Sequence, residues 1–178
     1  MKLLKAFLLG VSCFSGASAI KVGDSVPKNV DLHFGFPPEK INLEERVAGK
    51  NVPGYLAKED ALKKLGVDEV IIYCVNDGAV MDAWAADQGI GTSSMIKLMG
   101  DPYGELTEKL DMELTHSGPK SVGLINRCKR FALYMEDGSV KIAKVAEAED
   151  DPAGDERPDI TLAESMIDAI SALGKDEL

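Results

Sequence analysis

A short apolar run, residues 68–75, constrains the fold of this 178-residue chain more than any other segment. Its sequence, DEVIIYCV, is rich in β-branched residues, and Gly66 and Asn76 bound it. A run of this composition predicts a strand that is buried on both faces, as in a parallel sheet covered by helices. Residues 95–99 form a second apolar strand candidate. These two predicted strands favour an α/β fold.

Side-chain caps predict where the helices begin. Asp77 is expected to cap a helix that follows the first of these strands. Asp101 is expected to cap another, because Pro102 follows it and proline is favoured at the first helical position. Thr161 and Glu164 have the spacing of a capping box, which predicts a last helix. One side of that helix is expected to carry Met166, Ile167, Ile170 and Leu173.

A tight turn is predicted at Asp137 and Gly138, between the segments 130–136 and 139–145. An Asp-Gly pair flanked by such segments is a strong hairpin signal. Alternating strands and helices, followed by a hairpin and a closing helix, predict a mixed central sheet flanked by helices. Because the sequence shows no internal repeat and no linker, residues 20–174 are expected to form one domain.

One strand of that sheet is missing from the sequence. Residues 55–65 are expected to form a helix, with Leu62 and Leu65 facing inward, that leads into the strand at 68–75. In a strand–helix–strand unit, another strand should come directly before this helix. Residues 44–54 are instead polar and interrupted by glycine and proline. We therefore predict an α/β fold that lacks one central strand.

Both ends of the chain carry the pattern of a targeting signal. Residues 1–19 combine a basic start, an apolar run at 6–14 and the small residues Ala17 and Ala19, as a cleaved signal peptide does. A buried N-terminal core helix is the alternative. The last four residues, 175–178, are KDEL, the retrieval signal of the endoplasmic reticulum. We expect a protein of the endoplasmic reticulum lumen that begins near Ile20 and binds the KDEL receptor.

Charge and composition exclude several functions. The chain has 20 Lys and Arg against 30 Asp and Glu, and no Lys/Arg-rich run, so nucleic acid is not an expected partner. No apolar stretch reaches the roughly 18–20 residues that a membrane span needs. The three cysteines and two histidines do not form a zinc motif, and neither a metal nor a cofactor is predicted. The acidic stretch 147–156 is expected to be a solvated loop, with calcium buffering as the alternative.

Several short segments, spread over nearly all of residues 20–174, occur in a characteristic order. They are residues 20–27 (IKVGDSVP), 40–43 (KINL), 52–55 (VPGY), 75–77 (VND) with Met81 and Trp84, 101–104 (DPYG), and 129–133 (KRFAL) followed by Asp137 and Gly138. In this order they resemble the type II (atypical two-cysteine) peroxiredoxins. The resemblance implies a thioredoxin-like redoxin fold and the reduction of hydrogen peroxide and organic hydroperoxides by a cysteine thiolate. It also implies a thiol reductant (thioredoxin, glutaredoxin or glutathione) and allows a homodimer.

The segment that carries the family's nucleophile is absent from this sequence. In the type II peroxiredoxins, a Pro-x-x-x-Thr-x-x-Cys turn lies between a Gly-Lys pair and the Val-Pro-Gly-Tyr segment. Here Lys50 is followed directly by Asn51, and neither Cys74 nor Cys128 has a threonine three residues before it. On the order of 15–20 residues are therefore missing, including the missing strand. The resemblance assigns no nucleophile to this chain.

One arginine and two cysteines are the remaining candidates for chemistry. Arg130 matches the arginine that, in the family, lowers the pKa of the thiol and stabilises charge on the peroxide; a surface arginine flanking a strand is the alternative. Cys128 is a candidate reactive thiol, because in an extended segment it would share a face with Arg130. Cys74 lies inside an apolar strand and is expected to be buried and inert. In an oxidising compartment the two cysteines could also pair.

Three functions remain open at this point. The first is the thiol-dependent peroxidase of the family, of which this chain is a shortened and inactive version. The second is a non-catalytic peroxiredoxin-like subunit that binds a partner. The third is a lumenal redox-sensing module. A stable fold without peroxide turnover would favour the second function, whereas activity restored by inserting the missing segment after Lys50 would favour the first.

Overall fold

A computed structural model of the chain describes residues 5–11, 20–35, 39–42, 52–152, 154 and 156–176. The first half contains β1 (Lys5–Val11), β2 (Asp31–Phe34), β3 (Glu39–Asn42), α1 (Val52–Ala57), α2 (Glu59–Lys64), β4 (Glu69–Cys74) and α3 (Gly78–Asp87). The second half contains β5 (Ile96–Gly100), α4 (Glu105–Lys109), α5 (Ser117–Ser121), β6 (Phe131–Glu136), β7 (Ser139–Val145) and α6 (Ala163–Asp176). Short 3₁₀ turns occur at Ile90–Thr92 and Pro158–Thr161.

The strands form one mixed sheet in the order β3-β2-β5-β4-β1-β6-β7. Strands β1, β4 and β5 are parallel, whereas β6 is antiparallel to β1 and β7 is antiparallel to β6. The predicted strand at 68–75 is confirmed, and it is buried on both faces. Ile71 and Tyr73 of β4 join one core cluster, whereas Val70 and Ile72 join clusters on the other face, and all four side chains are fully buried.

The hairpin and the first cap are also confirmed. Asp137 and Gly138 connect β6 to β7 with φ angles of 50° and 74°. Two successive positive φ angles are typical of the type I′ turn that an Asp-Gly pair favours. The side chain of Asp77 caps α3 by accepting a 2.9 Å hydrogen bond from the backbone N–H of Val80. On α3, Met81 is buried and Val80 is exposed.

Two other predicted caps are wrong in detail. Helix α4 begins at Glu105 with Gly104, φ of 71°, as its N-cap residue, so Asp101 is not at the predicted position, although its carboxylate accepts hydrogen bonds from N–H groups of the first turn. Helix α6 begins at Ala163, and Thr161 instead donates a 3.2 Å hydrogen bond to the carbonyl of Pro158 within the preceding 3₁₀ turn. Each predicted cap lies outside the helix because the chain makes one additional turn before the helix starts.

Residues 5–11 of the N-terminal segment form an interior strand of the sheet. β1 lies between β4 and β6, and it is a strand rather than the alternative core helix. Residues 1–4 and 12–19 of the predicted signal peptide lie outside the described residues, as do residues 43–51, around the predicted deletion. The signal peptide therefore stays a prediction, while seven of its residues have a defined place in the sheet.

Two observations concern a membrane span and the acidic stretch. Among the helices that the structure describes, none has the length and apolar character to cross a bilayer. In the described part of the acidic stretch 147–156, Asp151 is buried, accepts a hydrogen bond from the Glu156 N–H, and lies 3.8 Å from the Arg157 guanidinium. No cluster of metal-binding side chains occurs among the described residues.

Candidate functional site

The carboxyl ends of the three parallel strands meet at one edge of the sheet. Val11 of β1 pairs with Cys74 of β4, which in turn pairs with Gly100 of β5. Strand β6 starts at the same edge, because its first residue, Phe131, pairs with Gly10. The carboxyl ends of parallel strands are where α/β proteins usually place their binding sites. We therefore take this edge as the candidate functional site.

Arg130 lies at this edge, directly before β6 and beside the end of β1. Its side chain is half-buried, and its carbonyl accepts a 2.9 Å hydrogen bond from the N–H of Ala146. The preceding residue, Lys129, donates its N–H to the carbonyl of Met112 at 2.7 Å, and its ammonium lies 4.0 Å from the Glu147 carboxylate. These contacts fix the backbone on both sides of the arginine. Burial raises the pKa of Glu147, and the charges of Lys129 and His116 partly offset this effect.

Cys128 is fully buried and lies in the core cluster that contains Tyr73 and Phe131. The segment before β6 is not a regular strand: Cys128 makes one isolated bridge with Glu113, and β6 begins only at Phe131. Cys128 and Phe131 belong to the same core cluster. In a regular strand, side chains three residues apart would point to opposite faces of the sheet. The regular strand on which the predicted shared face of Cys128 and Arg130 depends does not extend to these residues, and the reactivity of Cys128 stays a prediction.

Cys74 is partly exposed rather than fully buried as the sequence predicts, but its pKa is raised. Burial raises its pKa to about 11, and the nearby Arg127 lowers it only in part. A thiol with such a pKa is almost entirely protonated at neutral pH, and the thiolate is the nucleophilic form. Cys74 and Cys128, the cysteines of the described part of the chain, are thiols and do not form a disulfide.

A chain of buried polar groups runs beneath this edge, and the sequence analysis did not predict it. The Asp101 carboxylate accepts hydrogen bonds from the Thr107 N–H at 3.0 Å and from the Thr107 hydroxyl at 2.9 Å. The Thr107 hydroxyl also lies 3.4 Å from the phenol oxygen of Tyr73. Burial raises the pKa of Tyr73, and the neighbouring Cys128 raises it further. The sequence signal for this chain is weak, because its members lie on separate elements.

A cleft of about 310 Å³ opens beside the carboxyl ends of β4 and β5. Its walls are polar and acidic, and they include Val75, Tyr103, Thr107, Glu108, Glu113 and Asn126. Burial raises the pKa of Glu113, and the negative charges of Asp111 and Glu108 raise it further. Neither Arg130 nor a cysteine lines this cleft. In the described part of the chain, the cleft and Arg130 thus lie at the same edge of the sheet, but Arg130 does not line the cleft.

Comparison with known proteins identifies the class to which this fold belongs. The Redoxin family model matches residues 47–163, so the chain belongs to the redoxin family. Within that family, it belongs to the peroxiredoxins. Peroxiredoxin-2D of Arabidopsis thaliana is 38% identical over 146 residues, and the match covers 71% of this chain and 87% of that protein.

Other relatives are similar over different lengths. The chloroplastic Peroxiredoxin-2E of Arabidopsis thaliana is 41% identical over 98 residues, which cover 55% of this chain and only 41% of that protein. Among solved structures, reduced Prx3 of Vibrio vulnificus in complex with H₂O₂ has a TM-score of 0.70 and 25% identity, and covers 85% of this chain and 96% of that one. The thioredoxin-like α/β fold expected from the sequence is thereby confirmed.

Proposed function

We propose that this chain is a peroxiredoxin-family protein of the secretory pathway that retains the arginine of the family's hydroperoxide site but does not itself reduce peroxide. One observation carries the proposal: in the described part of the chain, no accessible thiol of low pKa lies beside Arg130. Cys128 has no exposed surface, and the pKa of Cys74 is raised to about 11. Peroxide reduction requires a thiolate that the oxidant can reach.

The length of one alignment supports the loss of a segment. The match with Peroxiredoxin-2D runs over 146 positions but uses 71% of this 178-residue chain, which is fewer residues than positions. The relative therefore has residues at positions where this chain has none. A deletion that removes the nucleophile before α1 accounts for both the alignment and the missing thiol.

Peroxide consumption by the purified full-length chain tests the proposal directly. With hydrogen peroxide or an organic hydroperoxide and a dithiol reductant, we expect no turnover above that of the reductant alone. The single variants Cys13→Ser, Cys74→Ser and Cys128→Ser are the controls. Turnover that disappears in any one of these variants would show that the chain has a working nucleophile and would refute the proposal.

A second experiment separates a shortened peroxidase from a non-catalytic subunit. The family's Pro-x-x-x-Thr-x-x-Cys segment, with the strand before it, is inserted between Lys50 and Asn51. Activity that depends on both the inserted cysteine and Arg130 would favour a shortened peroxidase that acts on hydroperoxides with a thiol reductant. A stable but inactive insertion variant would favour the non-catalytic subunit. The burial of Cys128 and the raised pKa of Cys74 argue against the third function, a redox sensor, because a sensing cysteine must be both accessible and readily ionised.

The location in the endoplasmic reticulum rests on the sequence alone. Helix α6 extends through Asp176, and residues 177 and 178 lie outside the described residues. We propose that residues 175–178 are read by the KDEL receptor, and the homodimer stays a prediction. Cell fractionation of the chain with and without these four residues tests the location, and secretion of the shortened chain alone is the expected result.

A further inference from the structure

Strands β4 and β6 face each other across a space that is one strand wide. On their outer sides, β4 pairs with β5 and β6 pairs with β7. Neighbouring strands lie about 4.8 Å apart, so the inner edges of β4 and β6 are separated by the width of a single inserted strand. These edges lie in the core: Ile71, Tyr73, Phe131 and Leu133 are fully buried.

An empty space at this position would leave backbone groups without partners in the interior. Buried N–H and C=O groups in native proteins are almost always hydrogen-bonded, because water cannot replace the lost partner there. Strand β1 supplies these partners on both sides. It is parallel to β4 from Ala6, which pairs with Glu69, to Val11, which pairs with Cys74. It is antiparallel to β6 from Lys5, which pairs with Glu136, to Gly10.

Gly10 provides a second indication that this strand fits its site. It pairs with Tyr73 on one side and with Phe131 on the other. The rings of Tyr73 and Phe131 contact each other edge to face, with centroids 6.0 Å apart. Paired residues on neighbouring strands point to the same face of a sheet. Tyr73 and Phe131 therefore lie on the same face of the sheet, and the contact between their rings fits a single strand between β4 and β6.

We infer that the space between β4 and β6 is a strand-accepting site and that its occupant is the chain's own apolar segment Lys5–Val11. The segment takes the place of the central strand that the sequence lacks before α1. The same seven residues belong to the predicted signal peptide. The seven-stranded fold therefore belongs to the chain that keeps its N-terminus, and a chain cut after Ala19 has an open site. The inference concerns the uncleaved chain, because cleavage of the predicted signal peptide, on which the proposed secretory location rests, would remove this strand.

Hydrogen exchange of the unmodified full-length chain tests the occupant, with the N-terminus verified by intact mass. We expect the amides of β1 to exchange roughly a thousandfold more slowly than in the unfolded chain, because a central strand opens only when most of the sheet opens. The amides of β4 and β6 should be protected to a similar extent. Exchange of residues 5–11 at the unfolded rate, with β4 and β6 still protected, would overturn the inference.

Disulfide trapping tests the register independently. Leu9 pairs with Ala132 of β6, whereas Ala143 of β7 is one strand further away and pairs with Leu133. The double variant Leu9→Cys/Ala132→Cys should form the cross-link, and the matched control Leu9→Cys/Ala143→Cys should not, because two strand spacings exceed the reach of a disulfide.

Cross-linked peptides are identified by mass spectrometry, so that the native cysteines are distinguished. We expect about tenfold more cross-link in the first variant than in the control. Equal amounts in the two variants, or none in a first variant that still unfolds cooperatively, would show that Lys5–Val11 does not occupy this site.

Discussion

Asp101 is a carboxylate held in the interior by hydrogen-bond donors rather than by a cation. Its oxygens accept from the N–H groups of Leu106 and Thr107 and from the Thr107 hydroxyl. Burial raises the pKa of Asp101 above its ordinary value of 3.8, and these hydrogen bonds offset only part of the effect. The carboxyl group therefore ionises more readily in the unfolded chain than in the folded one.

This difference makes stability depend on pH in a defined direction. The contribution of Asp101 is fully present below pH 3.8 and is lost as the pH rises through the folded-state pKa. Relative to the variant Asp101→Asn, the wild type should lose about 1.4 kcal/mol for each pH unit that separates the two pKa values. Urea unfolding of both proteins between pH 3 and pH 7 measures this difference. Asp82→Asn, at an exposed position of α3, corrects for the loss of one charge, and a difference that is constant with pH would contradict the prediction.

Gly100 is a residue whose lack of a side chain is required by its surroundings. It ends β5 at the candidate site, and a methyl group there would overlap the carbonyl oxygen of Asn76 and lie 3.0 Å from the carbonyl carbon of Asp77. Because the obstacle is backbone, Gly100→Ala should lower the free energy of unfolding by about 2 kcal/mol or more. Gly91→Ala is the matched control, since a methyl group there meets nothing within 4 Å, and its effect should be within about 1 kcal/mol. Equal midpoints of urea unfolding in the two variants would refute this account.

At the scale of single elements, the cap of α3 gives a local prediction. Asp77 accepts the Val80 N–H at 2.9 Å, which satisfies one of the N–H groups that a helix start leaves open. Asp77→Ala should cost about 1 kcal/mol of stability, and Asp77→Ser should restore most of it, because serine also accepts at this position. Thermal or urea unfolding measures both variants. A serine variant as unstable as the alanine one would indicate that the cap hydrogen bond is not the cause.

The elements also show why some structural features can be predicted from sequence and others cannot. The Asp77 cap and the Asp137–Gly138 turn depend on atoms within a few residues, and both predictions are confirmed. Thr161 has the correct spacing for a cap, but its carbonyl accepts a hydrogen bond from Tyr55, 106 residues away, and α6 starts after it. The chain from Asp101 to Tyr73 is likewise tertiary. Hydrogen bonds between residues close in sequence can be predicted from the sequence, whereas contacts between distant elements cannot.

The N-terminal segment shows a different limit of sequence analysis. A signal peptide and a buried strand both require a short apolar run, and the run at 6–14 satisfies either requirement. Composition and periodicity cannot distinguish them. What distinguishes them is the rest of the fold, because β1 pairs with both β4 and β6. In the structure, Lys5–Val11 occupies the position between β4 and β6.

For the whole molecule, this topology predicts that the free energy of unfolding depends more on the interior strand β1 than on the edge strand β3. β1 has hydrogen-bonded neighbours on both sides, whereas β3 is an edge strand that pairs only with β2. Proline removes a backbone donor and is tolerated at edges or at the first residue of a strand, but not within a central one. Leu8→Pro should therefore lower the free energy of unfolding by about 3 kcal/mol or more.

The matched control is Glu39→Pro, at the first residue of β3. It should cost about 1 kcal/mol or less, because at most one hydrogen bond at the sheet edge is lost. Urea unfolding of the two full-length variants gives both values. If Leu8→Pro is no more destabilising than Glu39→Pro, residues 5–11 contribute nothing to the cooperative core. The remaining strands would then have to pair β4 with β6 directly or leave both edges open, and neither arrangement gives the order β4-β1-β6.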